Sequence, residues 1–203
     1  MMGPVYVITD PTAGPSIADQ ARAAARGGAW AVQIRDKHAS DEDIARLVAL
    51  LLPEMVAMNV CLIVNDRVDL AIRTGVHGLH IGQGDGCPLE VRRRIGARMI
   101  LGLSLETEAQ ARRLQPCVDY VGAGPVRATP TKPDHAAPIG MAGLSRIVAA
   151  VTVPVYAIGG LVVGDVATVK GAGATGMAVV SAVVRAANPV SATRTLLADW
   201  NTA

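Results

Sequence analysis

The chain has no phenylalanine, and only three tyrosines and two tryptophans in 203 residues. A core with so few rings must be built from Val, Ile, Leu, Ala and Met, which suits alanine-rich helices laid on Val/Ile strands in an α/β protein. Cysteine is scarce too. Cys61, Cys87 and Cys117 are odd in number, widely spaced and form no C-x-x-C pair, which argues against a disulfide framework and a structural zinc site. Cys61 opens an apolar run and reads as a small core residue, while nothing beside Cys87 marks it as a nucleophile. The formal net charge is only +2, with no basic stripe interleaved with aromatics, so a nucleic-acid partner is not expected. The opening MMGPVYVITD lacks the basic region and long apolar stretch of a signal peptide. One uncharged run, residues 147–164, reaches the minimum length of a membrane span, but Pro154 and Gly159-Gly160 interrupt it. No linker, charge block or low-complexity segment divides the chain. These absences predict a single-domain, soluble, cytoplasmic protein with no membrane or nucleic-acid partner.

What is present is a rhythm. Short apolar runs alternate with helix-period stretches, the pattern of βαβ units. Strands are expected at about 5–9, 30–35, 61–65, 78–81, 99–103, 119–121, 153–158 and 176–180. Helices are expected near 16–26, 41–58, 68–74, 88–95, 106–114, 141–150, 165–172 and 189–200, with Ser16 and either Ser40 or Asp41 as N-caps. Eight strand–helix pairs predict a compact (β/α)8 TIM barrel spanning residues 1–203. A doubly wound open sheet would use fewer strands, and its dinucleotide fingerprint is missing from the first turn.

In a barrel of this kind chemistry sits at the C-terminal ends of the strands. The second strand ends Gln33-Ile34-Arg35-Asp36-Lys37, and period-two alternation puts Gln33 and Arg35 on one side with Ile34 opposite. The third ends Asn65-Asp66, and the fourth leads through His80 and Gly82 to Asp85. The fifth ends at Ser104, the seventh at Gly159-Gly160, and the eighth at Val180-Ser181. The sixth feeds a long loop in which Thr129-Pro130-Thr131-Lys132 presents two hydroxyls and an ammonium between prolines. Pro130 and Pro133 fix φ there, and Asp134 and His135 lie close enough in sequence to influence Lys132. Long loops of this sort are usually either functional or disordered.

Asp66 and Asp85 follow neighbouring parallel strands and could share a hard divalent cation whose shell is completed by water and phosphate. The alternative for Asp66 is a helix cap. Arg35, Lys37 and Lys132 would supply the balancing cations, the arginine as a planar fork and the lysines as point charges. Gly159-Gly160 and Val180-Ser181 fit the recurrent phosphate site after the seventh and eighth strands. Two anion sites are therefore expected: a diphosphate near strands two to four and six, and a monophosphate at seven and eight. His80 could act as a general base, but a hydrogen-bonded structural role is favoured. His38, His77 and His135 are expected on the surface.

Laid out in order, these motifs resemble the thiamine phosphate synthase family over essentially the whole chain. They are Gln33-Ile-Arg-Asp-Lys37, Val64-Asn-Asp66, His80-Ile-Gly-Gln-x-Asp85, Gly102-Leu-Ser104, Asp119-Tyr-Val-Gly-x-Gly-Pro125, Thr129-x-Thr-Lys132, Ala157-Ile-Gly-Gly160 and Val180-Ser181. The resemblance implies a TIM barrel that joins a hydroxymethylpyrimidine diphosphate to a thiazole phosphate, releasing diphosphate with Mg²⁺. It implies that Gln33, Arg35, Lys37, Asn65, Ser104 and Lys132 hold the pyrimidine diphosphate, and that Arg35, Lys37, Ser104 and Lys132 take part in catalysis. It further implies Asp66 and Asp85 as ligands of Mg²⁺, and Thr129, Pro130, Thr131, Gly160, Val180 and Ser181 around the thiazole phosphate. Partners would be these small molecules, and a homo-oligomer is compatible with the resemblance. Arg127-Ala128 departs from it, since the family often carries an aromatic and a small residue there. The related thiazole tautomerases share the barrel but need a placed base and have little use for a diphosphate site. A non-catalytic phospholigand-binding regulator is the reading from another class.

Overall fold

In the computed structural model, which describes residues 2–132 and 135–203, the apolar runs become strands whose side chains alternate between two apolar surroundings. Among the described residues eight parallel strands close into a barrel: β1 Val5–Ile8, β2 Ala31–Ile34, β3 Cys61–Asn65, β4 Gly78–Ile81, β5 Ile100–Leu105, β6 Tyr120–Ala123, β7 Val155–Ile158 and β8 Gly176–Val179. Each pairs with the next in chain order, and β8 returns to β1. The sheet thus has no free edge. Helices α1 Ile17–Arg26, α2 Asp41–Ala57, α3 Val68–Thr74, α4 Pro88–Ile95, α5 Glu108–Ala111, α6 Gly140–Ala150, α7 Val166–Gly171, α8 Ser181–Val184 and α9 Pro189–Thr202 follow the strands. None is long and apolar enough to cross a membrane among the described residues. Pro133 and Asp134, expected to stiffen the loop and to influence Lys132, lie outside the described residues.

Outward-facing strand residues such as Val7, Val32, Leu62, Leu79, Leu101, Val121 and Val179 pack with the helices in one aliphatic layer. Inward-facing residues form a second cluster around Tyr6, Ile63, Tyr120 and Tyr156, with Trp30 against it. Here the expectation of a purely aliphatic core is corrected. Four of the chain's five aromatic side chains gather inside the barrel, with ring centroids 5.4–6.2 Å apart. Offset and edge-to-face contacts at such distances add to the burial energy.

Local signals explain most boundaries. Ser16 and Ser40 accept from the backbone N–H of Asp19 and Asp43, so Ser40 rather than Asp41 caps α2. The fifth helix is shorter than expected. Thr107 and Gln110 form a reciprocal capping box, and after Ala111 the chain tightens into three-residue-spaced hydrogen bonds at Arg113 and Leu114 ahead of Pro116. The fifth strand is longer than expected and carries Ser104 within it. Two short helical turns went unforeseen: α8, which begins at Ser181, and a 3₁₀ turn at Val163–Asp165.

Candidate active site

Register fixes which side chains reach the mouth of the barrel. His80 pairs with Gly102, Gly102 with Tyr120, Ser104 with Gly122, and Asn65 with His80. All of them point inward, and the strand tips beyond open a single cavity at the C-terminal ends. Gln33, Arg35, Lys37, Asn65, Asp66, Asp85 and Ser104 line it on the side of β2 to β5. Thr129, Thr131, Lys132, Gly160, Val180 and Ser181 line it on the side of β6 to β8. Of the residues singled out from sequence, Pro130 does not line the cavity. It is exposed on the outer side of the loop, where its fixed φ shapes the turn that carries its two threonine neighbours.

Asp66 stands in a left-handed conformation, φ 53°, which is uncommon for a residue with a β-carbon and better tolerated by Asp and Asn. It does not cap α3; the cap position is Arg67, which makes no side-chain capping bond. Burial lifts its carboxyl above the ordinary carboxylate range and the Asp85 charge lifts it further, against Lys37, Arg67 and Arg35. Asp66 Oδ2 lies 3.8 Å from Lys37 Nζ, and Asp85 Oδ2 accepts from the Gly82 N–H at 2.7 Å. Two mutually repelling carboxylates facing a basic rim are suited to a hard cation that keeps several waters. Among the described residues no cluster of three or more His, Cys, Asp or Glu is placed to hold a metal ion, so the remaining ligands would come from water and substrate. The loop bearing Lys37 is braced by Arg67, which donates to the carbonyls of Asp36 at 2.8 Å and Ala39 at 2.6 Å. Arg35 has no acidic partner within ion-pair distance among the described residues, and its backbone N–H donates to Thr9 Oγ1 at 3.1 Å.

On the opposite side the long loop is better anchored than its sequence suggests. Val126 is buried, and its N–H donates to the Ile158 carbonyl at 2.8 Å; the Arg127 N–H donates to the Gly159 carbonyl at 3.0 Å. The Arg127 guanidinium grips Asp165 through both oxygens, at 2.7 and 2.6 Å, and donates to the Gly160 carbonyl at 3.2 Å. Gly159 and Gly160 have φ of 97° and 65°. A β-carbon on Gly159 would sit 2.5 Å from Pro125 Cβ, and one on Gly160 would sit 2.8 Å from Arg127 Cβ. The glycine turn and the loop are therefore fitted against each other.

Two histidines are not where they were expected. His77 is half-buried and its Nδ1 accepts from the Leu62 N–H at 3.0 Å. His135 lines the cavity, where its Nε2 accepts from the Thr129 N–H at 3.3 Å. His38 is exposed as expected. His80 is 8% exposed in the cavity wall, bonded to Tyr120 and Ser104, and burial pushes its pKa down to about 4 with the Asp85 charge opposing. The sequence reading also passed over Thr9, Asp10, Glu106 and Tyr6, all of which line the cavity. Asp10 was open to the rule applied to the other strands, since it stands just past the tip of β1. Its carboxylate accepts from Arg185 at 2.8 Å and Thr12 at 2.7 Å.

Cations, paired carboxylates and glycine turns around the C-terminal mouth of a (β/α)8 barrel define the class: a barrel enzyme with a site for phosphorylated small molecules. The family model described as "Thiamine monophosphate synthase" matches residues 5–183. The chain belongs to that family. A thiamine-phosphate synthase from Roseiflexus castenholzii is 46% identical over 197 residues, covering 96% of this chain and 86% of that protein. One from a Psychrobacter species is 42% identical over 201 residues, covering 96% and 94%. The solved thiamine phosphate pyrophosphorylase from Pyrococcus furiosus superposes with a TM-score of 0.89 at 32% identity, over 98% of this chain and 96% of that one.

Proposed function

We propose that this protein forms thiamine phosphate by joining 4-amino-2-methyl-5-(diphosphooxymethyl)pyrimidine to 4-methyl-5-(2-phosphoethyl)thiazole, with release of diphosphate. The observation that carries the reading is the meeting of Arg35, Lys37, Asp66 and Asp85 on one side of a cavity whose other side carries the Gly159-Gly160 turn, with Lys132 lining it from the loop after β6. A diphosphate belongs with the first group and a monophosphate with the second.

The reaction is a dissociative substitution. The bond from the pyrimidine methylene to the diphosphate oxygen breaks first and its electron pair leaves with the diphosphate, while the electron-rich aminopyrimidine spreads the positive charge. Arg35, Lys37 and Lys132 stabilise the negative charge that grows on the leaving group, a contribution largest in the transition state. Asp66 and Asp85 would hold Mg²⁺, which when bound neutralises phosphate charge as a Lewis acid. The thiazole, with its phosphate on the Gly160 and Ser181 side beside Thr129 and Thr131, gives its ring-nitrogen lone pair to the methylene carbon. Holding both rings in one cavity makes this step effectively intramolecular. No proton leaves the thiazole nitrogen, so no general base is required.

The tautomerase reading loses support at His80. A proton-transfer enzyme wants a base poised near the working pH, whereas His80 is engaged at both ring nitrogens and is a weak base at about 4. The test is an enzyme-coupled assay for inorganic diphosphate with both substrates and with each omitted. Rapid release only when both are present supports the reaction; release that is indifferent to the thiazole phosphate refutes it. In the same assay Lys132→Ala is expected to lose about 10²–10³ in turnover, and near-normal turnover would remove Lys132 from its role.

A further inference from the structure

A chain of hydrogen bonds runs through the barrel interior from one wall of the cavity to the other. Gln33 Nε2 donates to the Tyr6 hydroxyl. Tyr6 and Tyr120 share a bond at 2.9 Å, Tyr120 meets His80 Nδ1 at 2.9 Å, and His80 Nε2 meets Ser104 Oγ at 3.0 Å. Gln33, Tyr6, His80 and Ser104 all line the cavity, Tyr6 at only 1% exposure, while Tyr120 is wholly buried.

Proton counting gives this chain a direction. Each hydroxyl and a neutral imidazole carry one exchangeable proton. With Gln33 donating into Tyr6, the Tyr6 proton is left for Tyr120. The Tyr120 proton must then go to His80 Nδ1, so the imidazole proton sits on Nε2 and is given to Ser104 Oγ. The Ser104 proton is then the one left over, and the cavity is the place for it. The reverse polarity needs the Gln33 amide turned so that its Oε1 accepts from Tyr6; with Nε2 facing Tyr6 it would leave the Tyr6 proton without an acceptor at a 1% exposed site, which is costly. We infer that Tyr6 and Tyr120 are positioning residues that fix His80 in its Nε2–H form and so oblige Ser104 to act as a donor toward the substrate. An obligate donor is what a developing oxyanion or a ring nitrogen acceptor requires, whereas a freely rotating serine would offer lone pairs as often as its proton. The fold makes room for this arrangement. A β-carbon on Gly102 would overlap the Tyr120 ring end and come within 2.5 Å of His80 Nδ1. The low basicity of His80 keeps the imidazole neutral, as the count requires.

The tautomer is read in the free protein by ¹⁵N NMR of the histidine ring nitrogens, with the His80 signals identified by their loss in His80→Gln. The expected spectrum has a protonated Nε2 and an unprotonated Nδ1; the opposite assignment, or an even mixture, overturns the inference. Tyr120→Phe keeps the ring and removes the donor, and is expected to give mixed tautomers and a fall in kcat of about 3- to 10-fold, the effect of one neutral hydrogen bond, with both KM values within about twofold. Tyr6→Phe removes the proton that directs Tyr120 but leaves Tyr120 able to donate, so it is expected to loosen the tautomer and lower kcat in the same direction, by less than Tyr120→Phe. Equal effects of the two Phe variants would reduce both tyrosines to packing and refute the ordering. The catalytic half rests on the proposed reaction, but the tautomer does not. Wild-type protein with the expected spectrum and no diphosphate release would refute the reaction alone. Normal release with kcat unchanged in Tyr120→Phe would refute the positioning role alone.

Discussion

Acid titration reaches the centre of this barrel through one group. His80 is buried between Tyr120 and Ser104, and burial lowers its pKa from the usual 6.5 to about 4. The unfolded chain takes up this proton near pH 6.5 and the folded chain only near pH 4. Between those values the unfolded state binds more protons, so stability falls as pH falls. The contribution is fully present above pH 6.5 and is lost as pH drops through about 4. At about 1.4 kcal/mol per pH unit, the interval amounts to about 3 kcal/mol, of which about 2 kcal/mol is gone by pH 5. Urea unfolding of wild type and His80→Gln at pH 7, 6 and 5 isolates the term, because titration of the carboxylates is common to both proteins. The wild-type advantage is expected to shrink by about 2 kcal/mol from pH 7 to pH 5. Parallel pH profiles for the two proteins would refute a buried neutral imidazole, and with it the proton count along the interior chain.

Two further outcomes follow from the rim. Asp66→Asn removes a carboxyl whose ionisation is disfavoured by burial and by Asp85, at a φ that Asn tolerates. It should raise stability at pH 7 by about 0.5–2 kcal/mol while lowering turnover by about 10² or more. The gain should vanish at a pH low enough to protonate Asp66 in the wild type, as urea unfolding at two pH values would reveal. Arg127→Ala releases the Gly160 carbonyl and Asp165, so the KM for the thiazole phosphate should rise about tenfold or more while the KM for the pyrimidine diphosphate barely moves. A rise shared equally by both substrates would show that Arg127 supports the whole mouth rather than one subsite.

The strands and their polar tips were legible because each is a local pattern. Gln33, Asn65 and Ser104 lie in the last residues of apolar runs and Arg35, Asp66 and Asp85 just beyond them, and barrel geometry brings such tips to one rim. What could not be read were relations between distant strands. Arg127 and Asp165 are 38 positions apart, and neither is unusual in its own segment. His135 is expected on the surface because nothing in its segment marks a partner, yet the chain places it against the Thr129 N–H. The fifth helix is shorter than expected for local reasons at both ends: the capping box at Thr107 sets a later start, and after Ala111 the chain tightens into three-residue-spaced hydrogen bonds.

The aromatic centre is the deepest of these non-local features, and it also accounts for the glycines. Tyr6, Tyr120 and Tyr156 come one from each of three strands, so no window of sequence contains a pattern. A composition with five aromatic residues spread thinly through a core would make none of them special. The closed barrel instead concentrates four of them in an interior of fixed width. Their volume must be matched by small residues on the facing strands, because interiors are packed to a density that leaves little slack. Gly102 lies beneath Tyr120 and His80, and a β-carbon on Gly78 would meet Ile100 at 3.1 Å and Ile63 at 3.3 Å. The Gly102-Leu-Ser104 motif therefore carries two linked requirements: space at Gly102 for the Tyr120–His80 contact, and, two residues on along the same face, the serine whose hydroxyl that contact orients.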